Sequence, residues 1–472
     1  MKLVKLSLVA ALAAGSFLAL NAKPLEEAIK NVDVKGFARY RYDSGTYSKD
    51  SLGLNAGGNG VNNVQDHRFK AAVGAKLDVG EGFKVFGQLM YYNDHNYGFQ
   101  YNGAEFKQTN GTQGANTKQA PRLKQAYLEY ENLDYGTKFV LGRQMLNTVW
   151  DTGDIPGMAA KAFFTPVNGL TLAAFAVDSI EGSENNNGSY APTNSTNDGV
   201  RFNPYVSEKD ATDGSTVGWD TLNRRLYKYN IYGAAALAEF GGLKAQIWGG
   251  YWQNTANLWV LKLDYTLPLA EDLKYNLKIN YFGNTLDDYF IKDTLVVKAG
   301  DSTSTGGNGQ LIDVRGAIKG YGFDAQLGGI MFGKKDKFTI NTLEGISGGS
   351  GLYIGREIFY QKGSWISLSY GQSTYGYVGA GYTLPANIRI GVQGVYGGTK
   401  SDIKDAVKAA GRGTGTKMEL VGEASWKVND NLDFSVWYSR LSTLAKGGKN
   451  ATDKVDAKSI KDSVRFQAYY KF

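Results

Sequence analysis

The sequence predicts an all-β fold, a transmembrane antiparallel β-barrel of about 18 strands, with about 16 as the second choice. Segments of about ten residues alternate apolar and polar positions along the chain, as strands do when one side faces lipid and the other water. The connections between these segments are alternately short and long. Beyond the first two dozen residues, no apolar run approaches the roughly 18 residues that a membrane-spanning helix needs. A membrane-embedded state therefore requires a closed barrel, which pairs every backbone group.

Composition narrows the class of protein further. The chain has 472 residues with 61 Gly, 31 Tyr, 22 Phe and 8 Trp, and 21% of its residues are charged. It is too aromatic to be disordered and too polar to be a bundle of membrane helices. The absence of Cys excludes disulfides, thiolate metal sites and cysteine nucleophiles. The net charge of +7 is spread along the length, so it does not indicate nucleic-acid binding.

Residues 1–22 have the features of a secretory signal peptide. Lys2 and Lys5 precede an apolar run over residues 6–20, and Ala22 is a small residue at the predicted cleavage site. The run is too short for a membrane anchor and is followed by charged residues. The protein is therefore expected to be exported beyond the inner membrane.

The mature chain is predicted to contain a short N-terminal periplasmic segment, residues 23–32, and a single barrel domain, residues 33–472. The alternation is clearest in residues 68–79, 272–281 and 417–428. A soluble β-sandwich also alternates, with its apolar face inside. The regular change from short to long connections favours the barrel. A barrel of this width cannot fill its interior with side chains and therefore encloses water.

The connections predict which end of the barrel is which, because membrane barrels have short periplasmic turns and long extracellular loops. Eight short connections are predicted, at residues 79–82, 132–136, 166–169, 240–242, 267–272, 319–322, 384–387 and 428–431. The long polar stretches between them are residues 44–66, 93–120, 179–227, 283–310, 333–373 and 442–461. A short connection near Asn254 is the exception.

Several blocks of sequence resemble the major outer membrane protein family of Campylobacter-type bacteria. They are the opening MKLVKLSLVAALAAGSF, PLEEAIKNVDVKGFARYRYDSG from Pro24, LGRQMLNTVWD from Leu141, GLTLAAFAVDS from Gly169, and the terminal YYKF. The resemblance extends from end to end, while the long loops diverge. It implies a homotrimeric general-diffusion porin of the outer membrane that passes ions and small hydrophilic solutes and prefers cations.

Strand order and the resemblance together predict that the loop after the fifth strand, Met145 to Gly157, folds into the pore. This loop carries Asp151 and Asp154. Acids on an inserted loop that face bases on the wall create a transverse field, which selects ions. The candidate wall bases are Arg39, Arg41, Arg68, Lys70 and Arg143, although the parity of Arg143 groups it with Phe139 and Leu141. In the alternative interpretation, the two acids lie on a solvated loop and the bases pair locally.

Asp151 and Asp154 are also candidate ligands for Ca²⁺. Calcium prefers about six or more oxygen ligands, and the chain has no EF-hand to supply them. Glu129 or Asp264 could complete such a site. The alternative is a pair of hydrated acids, and no cofactor is required for a diffusion channel.

The sequence predicts no enzyme. Residues 345–349, GISGG, match the G-x-S-x-G pattern, but no helix follows, and neither His67 nor His95 is placed near Ser347. GRGTG at residue 411 lacks the strand-to-helix context of a phosphate loop. The long loops leave open a surface adhesin or structural protein with an incidental pore, and a solute-specific channel is a further alternative.

Overall fold

The computed structural model describes residues 32–50, 63–92, 121–151, 156–180, 229–291, 307–333, 337–341, 368–370, 372–400, 415–449 and 454–472. The predicted signal peptide, and the N-terminal segment apart from Val32, lie outside these ranges. Among the described residues, we find no helical segment that could span a lipid bilayer.

Twenty strands and one helical turn form in these ranges. The first ten strands are β1 (Asp33–Asp50), β2 (Asn63–Gly80), β3 (Phe83–Tyr92), β4 (Arg122–Asn132), β5 (Thr137–Met145), β6 (Pro156–Val167), β7 (Leu170–Ile180), β8 (Ile231–Phe240), β9 (Leu243–Trp252) and β10 (Ala256–Ala270). The remaining elements are β11 (Leu273–Leu286), α1 (Asp288–Phe290), β12 (Gly307–Gly320), β13 (Phe323–Phe332), β14 (Lys337–Ile340), β15 (Leu368–Tyr370), β16 (Gln372–Thr383), β17 (Ile388–Lys400), β18 (Gly415–Lys427), β19 (Leu432–Lys449) and β20 (Lys454–Lys471).

Eighteen of these strands form a closed antiparallel barrel. Each strand from β1 to β12 pairs with the next, and β13 pairs directly with β16. Each strand from β16 to β19 again pairs with the next, and β20 closes the ring on β1. The short strands β14 and β15 pair with each other, and β14 also pairs in parallel with β12. They are therefore not members of the ring. The predicted barrel and its strand number are confirmed.

The two ends of the barrel differ as predicted. All eight predicted short connections join strands at one end, the short-turn end, and the short connection near Asn254 is present at the other, the long-connection end. The turns use left-handed backbone: Gly82 has φ +80°, and a Cβ there would clash with the carbonyl oxygen of Glu131.

The prediction of a long connection over residues 442–461 was wrong. Strand β19 runs to Lys449 and β20 begins at Lys454, so only a few residues join them. Both strands have 18 residues, whereas crossing the membrane takes about 9–11. Each strand is therefore longer than a membrane crossing requires. Because the outer part of the strand need not carry apolar residues, its polar composition resembles that of a loop.

The two faces of the wall are inverted relative to a soluble protein. On β18, Lys417 and Glu419 are 1% and 0% exposed inside, whereas Met418 and Leu420 are 42% and 52% exposed outside. At the short-turn rim the outer face carries a ring of exposed aromatic side chains: Phe83, Phe139, Phe164, Phe240, Tyr265, Phe323, Tyr382, Trp426, Tyr470 and Phe472. Such a ring marks the boundary between hydrocarbon and headgroups.

Candidate functional site

The chain after β5 folds inward against one side of the barrel. Leu146 is 2% exposed and Trp150 is fully buried. The Trp150 ring lies 6.2 Å from that of Trp248, edge to face, and 6.5 Å from that of Phe175. Both partners are on the inner faces of their strands. Residues 146–151, the inserted segment, are therefore held by aromatic packing inside the barrel.

This side of the inner wall is apolar near the inserted segment. The buried inner residues of β7 and of β9 to β13 form one cluster with Leu146, Val149 and Trp150, and include Phe175, Val177, Trp248, Trp252, Leu258, Val260, Phe282, Leu311, Ile330 and Phe332. Packing of Leu146, Val149 and Trp150 into this cluster favours the docked position of the segment. The segment therefore narrows the lumen from this side.

Polar contacts hold the start and end of the inserted segment. The Lys161 ammonium on β6 donates to the carbonyl oxygens of Met145 and Leu146, at 2.8 and 3.2 Å. Asp151, only 7% exposed, accepts hydrogen bonds at Oδ2 from the Thr148 backbone N–H, at 2.6 Å, and hydroxyl, at 2.7 Å. In the described structure Asp151 therefore stabilises the turn that carries Trp150. Asp154 lies outside the described residues.

Four of the predicted wall bases face the lumen together. In the register of β1 and β2, Arg39 lies opposite Lys70, and Arg41 lies opposite Arg68. Arg41 donates to Gln467 Oε1 from Nε and Nη2, at 3.1 and 2.7 Å. Lys70 is 2% exposed. The structure thus places these bases on one stretch of the inner wall.

Sequence reasoning missed two members of this cluster, Asp43 and Arg465. Arg465 binds Asp43 through Nε and through Nη2, the latter at 3.0 Å, and Arg68 approaches the same carboxylate at 3.2 Å. The alternation of the last strand does place Arg465 on the polar face. The contact across the closure of the ring was not readable from the sequence. Arg39, Arg41, Arg68, Lys70 and Arg465 form what we call the basic arc.

Arg143 does not join the basic arc. It shares the outward face of β5 with Leu141, which is 50% exposed. Its Nε donates to the carbonyl oxygens of Leu123 and Lys124, at 3.2 and 3.1 Å. The strand β4 has a register irregularity there, which turns these carbonyls toward the arginine. The inclusion of Arg143 among the pore-lining bases is corrected accordingly.

The described residues do not complete a calcium site. No group of three or more His, Cys, Asp or Glu side chains able to hold a metal occurs in the described ranges. Glu129 is bound by Lys76 at 2.7 Å and Lys138 at 3.1 Å, and Asp264 by Lys278 at 2.8 Å. Both carboxylates that were considered as further ligands are therefore engaged by lysines.

The catalytic motifs gain no support from the structure. Residues 345–349, His95 and most of GRGTG lie outside the described ranges. His67 is on the outward face, where its Nδ1 lies 2.6 Å from the Tyr40 hydroxyl and its ring 5.0 Å from that of Tyr42. It packs with aromatic residues of the outer wall.

Known structures share this fold at low sequence identity. Acinetobacter baumannii OccAB3 matches with a TM-score of 0.61 and 12% identity, over 94% of this chain and 100% of that chain. Pseudomonas aeruginosa OpdQ gives 0.58 and 12% over 93% and 99%, and Pseudomonas aeruginosa OprD gives 0.56 and 11% over 94% and 95%. Identities this low show the fold alone. No curated protein matches the chain significantly. The family model described as Campylobacter major outer membrane protein matches residues 1–472.

Proposed function

The chain belongs to the Campylobacter major outer membrane protein family, and from this premise we propose that it forms a water-filled channel for passive diffusion of ions and small hydrophilic solutes. One observation carries the proposal: a closed ring of 18 strands has charged residues inside and apolar residues outside. A ring of this size leaves an aqueous lumen. The family and the fold point to a channel rather than an enzyme.

Family membership also underlies our proposals for the orientation of the barrel in the membrane and for its assembly into an oligomer. Short turns at one end favour a periplasmic position for that end and a cell-surface position for the long connections. Removal of residues 1–22 as a signal peptide and assembly into a homotrimer are part of the proposal, on the basis of the sequence pattern and the resemblance.

The proposed path for solutes runs along the basic arc. The inserted segment fills the apolar side of the lumen, so water and ions have the opposite, polar side. The side chains of Arg68, Asp43 and Arg465 are only 13–15% exposed, because they pack against one another on the inner wall. Charged groups that line a narrow passage set the local ion concentration.

Measuring ion preference tests how much the acids and the basic arc each contribute to ion selectivity. The resemblance implies cation preference, and we propose that Asp151 and Asp154 supply it against the opposing field of the arc. Replacing both by Asn is expected to shift the reversal potential toward anions, in a salt gradient across a planar bilayer. Arg39→Gln, at a base with no ion-pair partner among the described side chains, is expected to shift it toward cations.

Unchanged cation preference in the double Asn variant would remove the acids from the selectivity site. Absence of discrete conductance steps from the purified wild-type protein would overturn the channel itself and favour the adhesin. Current interruptions by one solute at low concentration would instead indicate a solute-specific channel. The three outcomes are distinguishable in one apparatus.

A Ca²⁺ site at Asp151 and Asp154 stays a prediction. Because Asp151 Oδ2 already accepts two hydrogen bonds from Thr148, Ca²⁺ would have to compete with these bonds for that oxygen. Titration calorimetry with CaCl₂ is expected to give saturable heat with the wild type and none with the double Asn variant. Mg²⁺, which requires tighter octahedral geometry, serves as the control ion. No heat from wild-type protein would end the calcium hypothesis.

A further inference from the structure

The outer face of the barrel carries basic residues at one rim only. At the short-turn rim, no outward position of the described strands carries a charged residue. At the long-connection rim, outward positions of β17, β19 and β20 carry Lys400, Arg440 and Lys458, which we call the outer-rim basic patch. Arg143 on β5 is also outward at this end, but β4 carbonyls hold it.

Strand parity places the patch on the lipid-facing side. Arg440 follows Val436 and Tyr438, which are 42% and 45% exposed, at intervals of two along β19. The side chain of Arg440 is itself 51% exposed. Lys458 has the parity of Val464 on β20 and lies opposite Leu444, so it also points away from the lumen. The patch is therefore separate from the pore lining.

The distance of the patch from the short-turn end can be compared with the thickness of the hydrocarbon layer. Arg440 is the ninth residue of β19, counted from the short-turn end, and a strand needs about 9–11 residues to cross the hydrocarbon. Lys400 is the last of the 13 residues of β17 and lies beyond that depth. Tyr438, just below Arg440, has the position expected of an interfacial aromatic residue. Arg440 thus lies near the outer boundary of the hydrocarbon, and Lys400 and Lys458 lie further from the short-turn end.

The charge of the patch is only partly compensated. Asp456 precedes Lys458 by two residues on β20, and Asp462 lies opposite Arg440 in the register. Asp462 Oδ1 accepts a hydrogen bond from the Tyr438 hydroxyl at 2.5 Å and is 3.5 Å from Arg440 Nη1. That ion pair is long for an arginine, which has five N–H donors. Three bases against these two acids leave the patch with a net basic charge.

We propose that the outer-rim basic patch binds phosphate groups of lipid headgroups in the leaflet at the long-connection end. An arginine fork suits a phosphate bidentately, and lysines nearby add attraction at the membrane surface. The absence of an equivalent patch at the short-turn rim of the described strands indicates a partner confined to one leaflet. The proposal requires membrane insertion but no open pore, so a failure of the conductance experiments leaves it standing.

The test measures lipid binding to the folded full-length mature protein in neutral detergent by native mass spectrometry. The probe is diphosphoryl lipid A, compared with lipid A from which the phosphates have been removed. Each base is expected to contribute about five-fold to binding, so R440Q/K458Q should bind about 25-fold more weakly. R440K should retain most of the binding. K244Q, at an exposed base of the short-turn end, is the matched control and should bind as the wild type does.

A variant that is expected to bind lipid A more tightly distinguishes an effect on binding from structural damage. D462N removes the acid that competes with phosphate and should strengthen binding about five-fold, although it also removes the ion pair to Arg440. Equal binding of dephosphorylated lipid A, or unchanged binding by R440Q/K458Q, would overturn the proposal. Inorganic phosphate that displaces the lipid at millimolar concentration would reassign the patch to free anions and also overturn it. Heat-modifiable migration in gels verifies that each variant is folded.

Discussion

Replacing Trp150 by Ala is expected to release the inserted segment from the inner wall, giving a larger and noisier single-channel conductance. The ring is fully buried against Trp248 and Phe175. Removing a buried aromatic side chain costs about 3–5 kcal/mol, which shifts the equilibrium between docked and released segment by about a hundred-fold or more. Because the energy is local to the segment, the barrel should remain folded.

Trp426→Ala is the matched control, since this ring lies on the outward face and is 45% exposed. It should leave conductance unchanged. A second variant, Lys161→Met, removes the ammonium that binds the carbonyls of Met145 and Leu146 and should raise current noise in the same direction. Wild-type conductance from Trp150→Ala would show that the segment does not narrow the pore.

Replacing Arg389 by Leu is expected to lower the free energy of unfolding by about 2 kcal/mol, a value reduced for partial exposure. Arg389 donates to both oxygens of Asp324, at 2.8 and 2.7 Å, and to Glu423 at 2.6 Å. It thereby joins β13, β17 and β18 across β16. Gly381 of β16 leaves room for the guanidinium, because a Cβ there would clash with it. The loss would leave two carboxylates without their shared cation.

Urea unfolding of the protein in lipid vesicles measures this effect. Arg389→Lys keeps the charge but loses the bidentate fork, so an intermediate loss is expected. Lys244→Leu breaks an exposed pair with Glu239, whose two side chains are 58% and 64% exposed, and should cost less than about 1 kcal/mol. Equal stability of Arg389→Leu and wild type would mean that strand pairing alone fixes this part of the barrel.

The fold was predictable because its signal is local. Alternation along residues 417–428 fixed the lipid-facing side of β18, and the short turns fixed which strands are neighbours. The same locality explains the error at residues 442–461, where strands continue beyond the lipid and polar composition no longer separates strand from loop. Parity alone also placed Arg143 correctly with Leu141 on the outer side, against its inclusion in the pore.

The candidate site was predictable only in part. The alternation identified Arg39, Arg41, Arg68 and Lys70 as inward bases, but the carboxylate that Arg68 approaches, Asp43, is fixed by Arg465 from 422 positions away. Likewise, the sequence marked Asp151 as an acid on an inserted loop and could not show that its carboxylate closes a turn around Trp150. The alternation along the chain was enough to show which side of each strand faces lipid, because that depends on neighbours two residues apart. Only the closed ring decided which charges meet inside it, because ring closure and an inserted segment bring together residues whose separation along the chain carries no signal.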